Sequence, residues 1–373
     1  MIQLLIIFII LGLIFNQYTK EYSLDKLEFR REIKDLVLEI DEPFYVDSIV
    51  ENQKWLPLSF LQVKEKYPKH FDFVHKNNVQ DIGLSKVHTM TLSLMPYQRI
   101  TRSYKLVAHK RGRHFLQEAI LVSGDFIGLQ TVNRIYDQND QEVVVLPKAV
   151  ALDEILEPYG NYYGDISVNR WIIEDPILNR GLREYTGNEP EKHIHWPSSL
   201  KTGDLLVKNF DFTTDHTAVV VLNTAMSKHI WGNKDPEKIE TCFSITRSIL
   251  EEFESTGIPY GLATNVATIH QYFGKTLTDI GHGPGHLRGL LESLGRAEYF
   301  SRSSFGNLLE ELKGALDRNR TYVLVTPTII KEDLPGLEEL RRNSGKIVLI
   351  TLSHDYLNDV SPKIETYKVS IEE

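Results

Sequence analysis

Cysteine is almost missing from this 373-residue chain. Cys242 is the only one, so no internal disulfide can form, and the composition suits a reducing compartment. A basic excess is missing as well. The formal net charge is -9, which argues against a general nucleic-acid-binding surface, and no nucleic-acid partner is expected. The motifs of several large enzyme classes are also absent. There is no G-x-x-x-x-G-K-[ST] loop for nucleotide hydrolysis, no G-x-S-x-G nucleophile elbow and no H-E-x-x-H metal motif. Low-complexity tracts and internal repeats are lacking too.

What is present begins with a long apolar run. Residues 2–15 read IQLLIIFIILGLIF, with Gln3 the one polar side chain. Fourteen residues of helix reach about 21 Å, short of a ~30 Å hydrocarbon core. Extension to Tyr18 gives about 27 Å and places an aromatic ring at the interface. No basic residue precedes Lys20 and no A-x-A-like site follows Phe15, so residues 1–18 are expected to be an uncleaved anchor rather than a secretory signal. Lys20, Lys26, Arg30 and Arg31 follow the run. The excess of positive charge on that side predicts a single-pass protein of the cell membrane with its body on the cytoplasmic side.

Residues 27–148 read as antiparallel β structure. Met90, Leu92 and Leu94 alternate with Thr89, Thr91 and Ser93, and Tyr104, Leu106 and Ala108 repeat the period of two. Residues 115–122 and 143–146 are further strands, and 137–141 is a polar tip suited to a hairpin turn. The spacing predicts an all-β immunoglobulin-like sandwich. Residues 149–203 are irregular, but Tyr162, Tyr163, Trp171, Tyr185 and Trp196 are too many aromatics for a flexible linker, so this connecting region should pack against its neighbours.

From residue 204 to 373 the period changes. Residues 218–222 form a continuous apolar run, as in a strand buried on both faces. A helix follows, with Asp235 as N-cap, Pro236 at the first position and Gly257 as the stop. Ile239, Cys242, Phe243, Thr246, Ile249, Leu250 and Phe253 form its core-facing stripe. Strands are expected at 258–264, 322–325 and 346–351, and helices near 286–296, 304–316 and 334–342. Alternating strands and helices predict an α/β domain with a mostly parallel sheet, in which ligands favour loops at strand C-terminal ends.

Histidines offer one candidate site. His193 and His195 would share a face of a strand, and His282 and His286 are four apart. Pro284 and Gly285 keep the second pair off one continuous helix, so surface or packing roles are expected. Cys242 lies on an apolar helix stripe, where an inert thiol is expected. The densest stretch is 181–208. There Arg183 and Lys192, near Glu184 and Glu189, could form an ion-pair network around Trp196 as apolar anchor. Its two readings are a structural clamp between domains and a partner-binding surface.

That stretch resembles the signature of the bacterial "domain of unknown function 58" family, approximately R-E-Y-x-x-G-D-x-x-R-x-I-H-W-K-A-S-A-R and then G-x-L-x-V-K. Arg183, Glu184, Tyr185, Ile194, His195, Trp196, Ser199, Gly203, Leu205, Val207 and Lys208 match it. Asn188, Glu189, Lys192, Pro197 and Leu200 depart from it. Lys192 in place of Arg loses a bidentate grip. Residues 48–57, 110–112 and 123–129 also look like the family's sandwich. The resemblance implies a von Willebrand A-like C-terminal domain and a MoxR-type AAA+ ATPase as partner in assembly, maturation or cell-envelope processes. In its metal-binding form a von Willebrand A domain carries D-x-S-x-S after the first strand. Here that loop has Asn223 for the acid and Ala225 for the first serine, and keeps Ser227. A neutral amide, a methyl and one hydroxyl make a poor divalent site, so no cofactor is expected, Mg²⁺ being the ion such a loop shape would take. The expected function is a membrane-anchored, non-enzymatic scaffold or adaptor. The alternative is a metal-dependent hydrolase using the histidines or a modified ion site.

Overall fold

Leu27, Phe29, Arg31 and Ile33 point inward from the first strand while Glu28, Arg30 and Glu32 face solvent, and this period-two burial recurs through the first half of the chain. The computed structural model describes residues 2–75, 78–116, 118–125, 130–136, 141–159, Trp171, 179–186, 194–210, 217–228, 235–268, 277–317 and 319–370. The chain divides into two units, Met1–Pro147 and Lys148–Glu373.

The first unit is a β-sandwich. One sheet pairs β1 (Leu27–Ile33), β3 (Pro43–Asn52), β8 (Arg99–Ala108) and β5 (Phe71–Phe73), in that order. The other pairs β11 (Thr131–Tyr136), β10 (Ala119–Gly124), β4 (Leu58–Pro68), β7 (Ser85–Leu94) and β6 (Val79–Ile82). All of these pairings are antiparallel. A small third sheet holds β2 (Val37–Leu38), β12 (Gln141–Val145) and β9 (Gly112–Leu116). Residues 115–122, read from sequence as one strand, divide between β9 and β10. The hairpin tip at 137–140 lies outside the described residues.

Between the sheets lies a polar layer that the sequence reading did not find. Along β3 the inward positions run Val46, Ser48, Val50, and along β4 they run Val63, Glu65, Tyr67, all of them buried. Arg31 stands directly opposite Ser48 in one sheet, and Glu65 directly opposite His88 in the other. One apolar cluster, with Val46, Leu106 and Leu116, lies on one side of this layer. A second, with Val50, Leu61 and Leu121, lies on the other. Arg31 donates to the carbonyls of Lys66 and Leu116 and sits 5.8 Å from the Tyr67 ring centre. Burial, reinforced by the Glu65 carboxylate, holds the Tyr67 and Tyr104 hydroxyls well above the usual phenol range.

The N-terminal helix α1 (Ile2–Glu21) does not bear out the expected anchor. Among the described residues no helix is long and apolar enough to cross a membrane, so the single-pass assignment and the cytoplasmic-side topology drawn from it are corrected. The reason is visible at the helix base. Asn16 Nδ2 donates to Asp125 Oδ2 at 2.6 Å, Lys20 Nζ to Gln130 Oε1 at 2.6 Å, and the Tyr18 ring stacks on Trp55 at 6.4 Å. The residues needed to lengthen the apolar run are committed to the sandwich.

The second unit centres on a six-stranded sheet. Its order is β13 (Leu156–Tyr159), β22 (Glu365–Val369), β21 (Lys346–Thr351), β20 (Arg320–Thr326), β16 (Thr217–Leu222) and β17 (Tyr260–Thr264). The sheet is mixed. β13 joins it antiparallel, whereas β22, β21, β20, β16 and β17 run parallel. The expected fold class, built around a von Willebrand A-like domain with a mostly parallel sheet, is therefore corrected. Antiparallel sandwich sheets hold much of the strand content, and the C-terminal sheet takes an antiparallel edge from residues read as connecting region. The error is physical: buried apolar runs announce themselves in sequence, while short half-polar strands such as β13 do not.

Helices α2 (Leu152–Ile155), α4 (Pro236–Thr256), α5 (Pro284–Arg296), α6 (Phe305–Leu312) and α7 (Leu334–Asn343) belong to this unit, as does the antiparallel pair of β18 (Val266–Thr268) and β19 (Ala297–Ser301). Asp235 accepts from the Lys238 N–H at 3.3 Å to start α4, and Gly257, at φ +76°, ends it. Its stripe from Ile239 to Phe253 is buried. Burial pushes the Cys242 thiol far up, so it stays protonated and inert.

Candidate functional site

The signature residues fold into a hairpin and a short helix. β14 (Asn179–Glu184) pairs antiparallel with β15 (Leu206–Phe210), and α3 (Trp196–Thr202) precedes β15. Three signature residues hold this backbone together. His195 caps α3, its Nδ1 accepting from the Ser198 N–H at 3.3 Å. Ser199 is buried; its hydroxyl donates to the His195 carbonyl at 3.1 Å and accepts from the Leu206 N–H at 2.8 Å. Gly203, at φ +84°, closes the helix in the left-handed conformation that a side chain would strain. Ile194 is buried and bridges to Val207, and the Tyr185 N–H donates to the Leu205 carbonyl at 2.8 Å.

Trp196 behaves differently. It was expected to be the apolar anchor of this motif, yet it is 56% exposed. Leu200, one helical turn on and on the same face, is 84% exposed. Leu182 and Leu205 are exposed as well. Arg183 and Glu184 are exposed, with Arg183 donating to the Glu184 carbonyl at 3.3 Å. Glu189 and Lys192, the other members of the expected ion-pair network, lie outside the described residues, as do His193, Tyr162 and Tyr163. Among the described residues of this unit the buried tryptophan is Trp171. It is fully buried, its indole N–H donates to the Tyr367 hydroxyl at 3.2 Å, and its carbonyl accepts from Thr321 at 3.1 Å.

The loop after β16 is closed by amides. Asn223 is fully buried, and its side chain makes four hydrogen bonds. Nδ2 donates to the Ala225 carbonyl at 2.9 Å and to Thr326 Oγ1 at 2.8 Å. Oδ1 accepts from the Ala225 N–H at 2.9 Å and from Asn265 Nδ2 at 2.7 Å. An amide has two donors and two acceptor lone pairs, so Asn223 is saturated. Asn265 adds a bond to the Ser303 carbonyl at 2.9 Å and accepts from the Thr224 N–H at 3.0 Å. Ser227 is half-buried and takes no part in these bonds. An Mg²⁺ ion would need oxygen lone pairs that Asn223 has already committed, so these residues do not fit the ion. Sequence reasoning found Asn223 but missed Asn265 and Thr326, which lie 42 and 103 residues further along.

The second histidine pair serves the framework. Glu254 Oε2 accepts from the Tyr260 hydroxyl at 2.8 Å and the Gly283 N–H at 3.0 Å, and lies 3.3 Å from His282 Nδ1. His286 Nε2 sits 2.9 Å from the Tyr260 carbonyl. Burial, with Glu254 beside it, raises the Tyr260 hydroxyl above the phenol range. Among the described residues no group of three His, Cys, Asp or Glu side chains is arranged to hold a metal ion.

A groove of about 480 Å³ lies beside the start of α7. Leu334, Leu337, Val360 and Ile364 line it together with Lys331, Glu338 and Asp359.

No family model matches the chain, and no curated protein matches it. Among solved structures, it is similar to the CARDB domain of a Pyrococcus furiosus protein, solved in complex with di-metal ions. The identity there is 14%, over 32% of this chain and 91% of that one, with a TM-score of 0.21. The major pilin SpaD of Corynebacterium diphtheriae gives 10% identity over 29% of this chain and 34% of the pilin, with a TM-score of 0.22. Escherichia coli alpha-2-macroglobulin gives 14% over 32% and 23%, with a TM-score of 0.23. Likenesses this distant carry no argument about fold or activity.

Proposed function

We propose that the chain is a non-enzymatic scaffold or adaptor, and that the α3 face is the surface it offers to a protein partner. The observation that carries this reading is Trp196 standing exposed with Leu200 on a helix fixed by His195, Ser199 and Gly203. Aromatic residues on a rigid support are the side chains that supply most binding energy at protein interfaces. The partner is a MoxR-type AAA+ ATPase, a choice supported by the resemblance of residues 183–208 to the family signature. The saturated Asn223 amide favours this reading over a metal-dependent hydrolase.

The test is co-purification of the chain with the MoxR-type ATPase of its own cell. Recovery of the ATPase by the natural chain, and its loss with Leu200→Asp, is the expected result. Leu200 is exposed, so that substitution should leave folding unchanged. Equal recovery by both forms, or no recovery by either, would remove the reading.

A further inference from the structure

Between Ile6 and Phe15, α1 exposes apolar side chains on every side. The nine large apolar residues between Ile6 and Phe15 are all exposed, from 45% at Phe15 to 79% at Phe8. Ile6, Ile7, Phe8, Ile9, Ile10 and Leu11 are consecutive, and six consecutive helical positions go right round the axis. No charged side chain occurs between Ile2 and Thr19. The base of this arm is held by Asn16 on Asp125 and Lys20 on Gln130, so it projects from a fixed point on the sandwich.

A helix apolar all round calls for burial of its side chains. We propose that α1 is covered by α1 of further copies of this chain, in a small closed bundle. Identical uncharged helices meet without like-charge repulsion, and each copy brings both halves of the contact. The area suffices. Nine side chains of roughly 200 Å², about half exposed, leave on the order of 900 Å² per copy. Two helices side by side cover about half of that on each, near the ~1,000 Å² total that a specific interface needs, and a third or fourth copy enlarges the covered share while each helix keeps an outward face.

Sedimentation of the full chain without detergent, across the micromolar range, tests this. The expected result is one discrete oligomer that dissociates on dilution. Ile7→Lys with Leu11→Lys, one turn apart on an exposed face, should weaken association at least ~10-fold while the thermal melt of both units stays in place. Leu11→Met should associate like the natural chain. A chain that is monomeric throughout would overturn the proposal. So would aggregates that grow without a fixed size, capture of monomers by phosphatidylcholine vesicles, or a double-lysine variant that still assembles.

Discussion

Ser48 donates a 2.6 Å hydrogen bond to Glu65 across the interior of the sandwich, joining the two sheets through a fully buried carboxylate. Hydrogen bonds to charged groups contribute about 1.5–3 kcal/mol, and a buried acceptor left short of a donor forfeits most of that. Ser48→Ala should therefore destabilise the first unit by about 2 kcal/mol in urea unfolding, with an unchanged m-value. Replacing Glu65 by Gln in the same chain should cost less than the sum of the two single changes, because the residues share one bond. Additive losses would show that the bond carries no stability.

Gly281 packs against an imidazole that cannot retreat. A Cβ there would lie 3.0 Å from His286 Nδ1, while His286 Nε2 is held at the Tyr260 carbonyl. Gly281→Ala should cost about 1–3 kcal/mol through overpacking. Combined with His286→Ala, the same change should cost almost nothing beyond the His286 loss, which a double-mutant cycle by thermal melting would register.

Asp333 predicts a pH dependence. Its carboxyl is buried and accepts from the Ile330 N–H at 3.1 Å, and burial pushes it up to about 6. An acid raised on folding holds its proton longer in the folded chain than in the unfolded one. Its contribution is thus fully present below the ordinary aspartate range and lost as pH rises to about 6. The size is on the order of 2–3 kcal/mol. The stability difference between the natural chain and Asp333→Asn should shift by that amount from pH 4 to pH 7. A flat difference would contradict it.

Much of the second unit was legible because its signals are local. Asp235, Pro236 and Gly257 bound α4 as capping chemistry requires, and the stripe from Ile239 to Phe253 is buried as its spacing implies. The alternation at Met90 and Leu94 likewise marked β7. The misreadings have a common cause, which is long-range partnership. Nothing in residues 156–159 announces that they pair with 366–369, and nothing near Asn16 announces Asp125. Trp196 reads as an anchor because it is an aromatic in a dense motif, yet it stands exposed; the buried tryptophan is Trp171, whose partner Tyr367 lies 196 residues away.

The closed amide loop makes a further prediction. Asn223→Asp would replace two donors by a buried acceptor facing the Ala225 carbonyl. It should destabilise the chain by about 3 kcal/mol or more, and added Mg²⁺ should not restore the melting temperature. Recovery on adding Mg²⁺ would mean the pocket can be refilled by an ion.

The most direct test of the adaptor account pairs two measurements on Trp196→Ala: unfolding free energy, and affinity for the MoxR-type ATPase by titration calorimetry. The account predicts stability within about 0.5 kcal/mol of the natural chain, as at an exposed site, and affinity at least ~10-fold weaker. A loss of about 3–5 kcal/mol in stability, the cost of emptying a buried tryptophan site, with affinity unchanged, would contradict it.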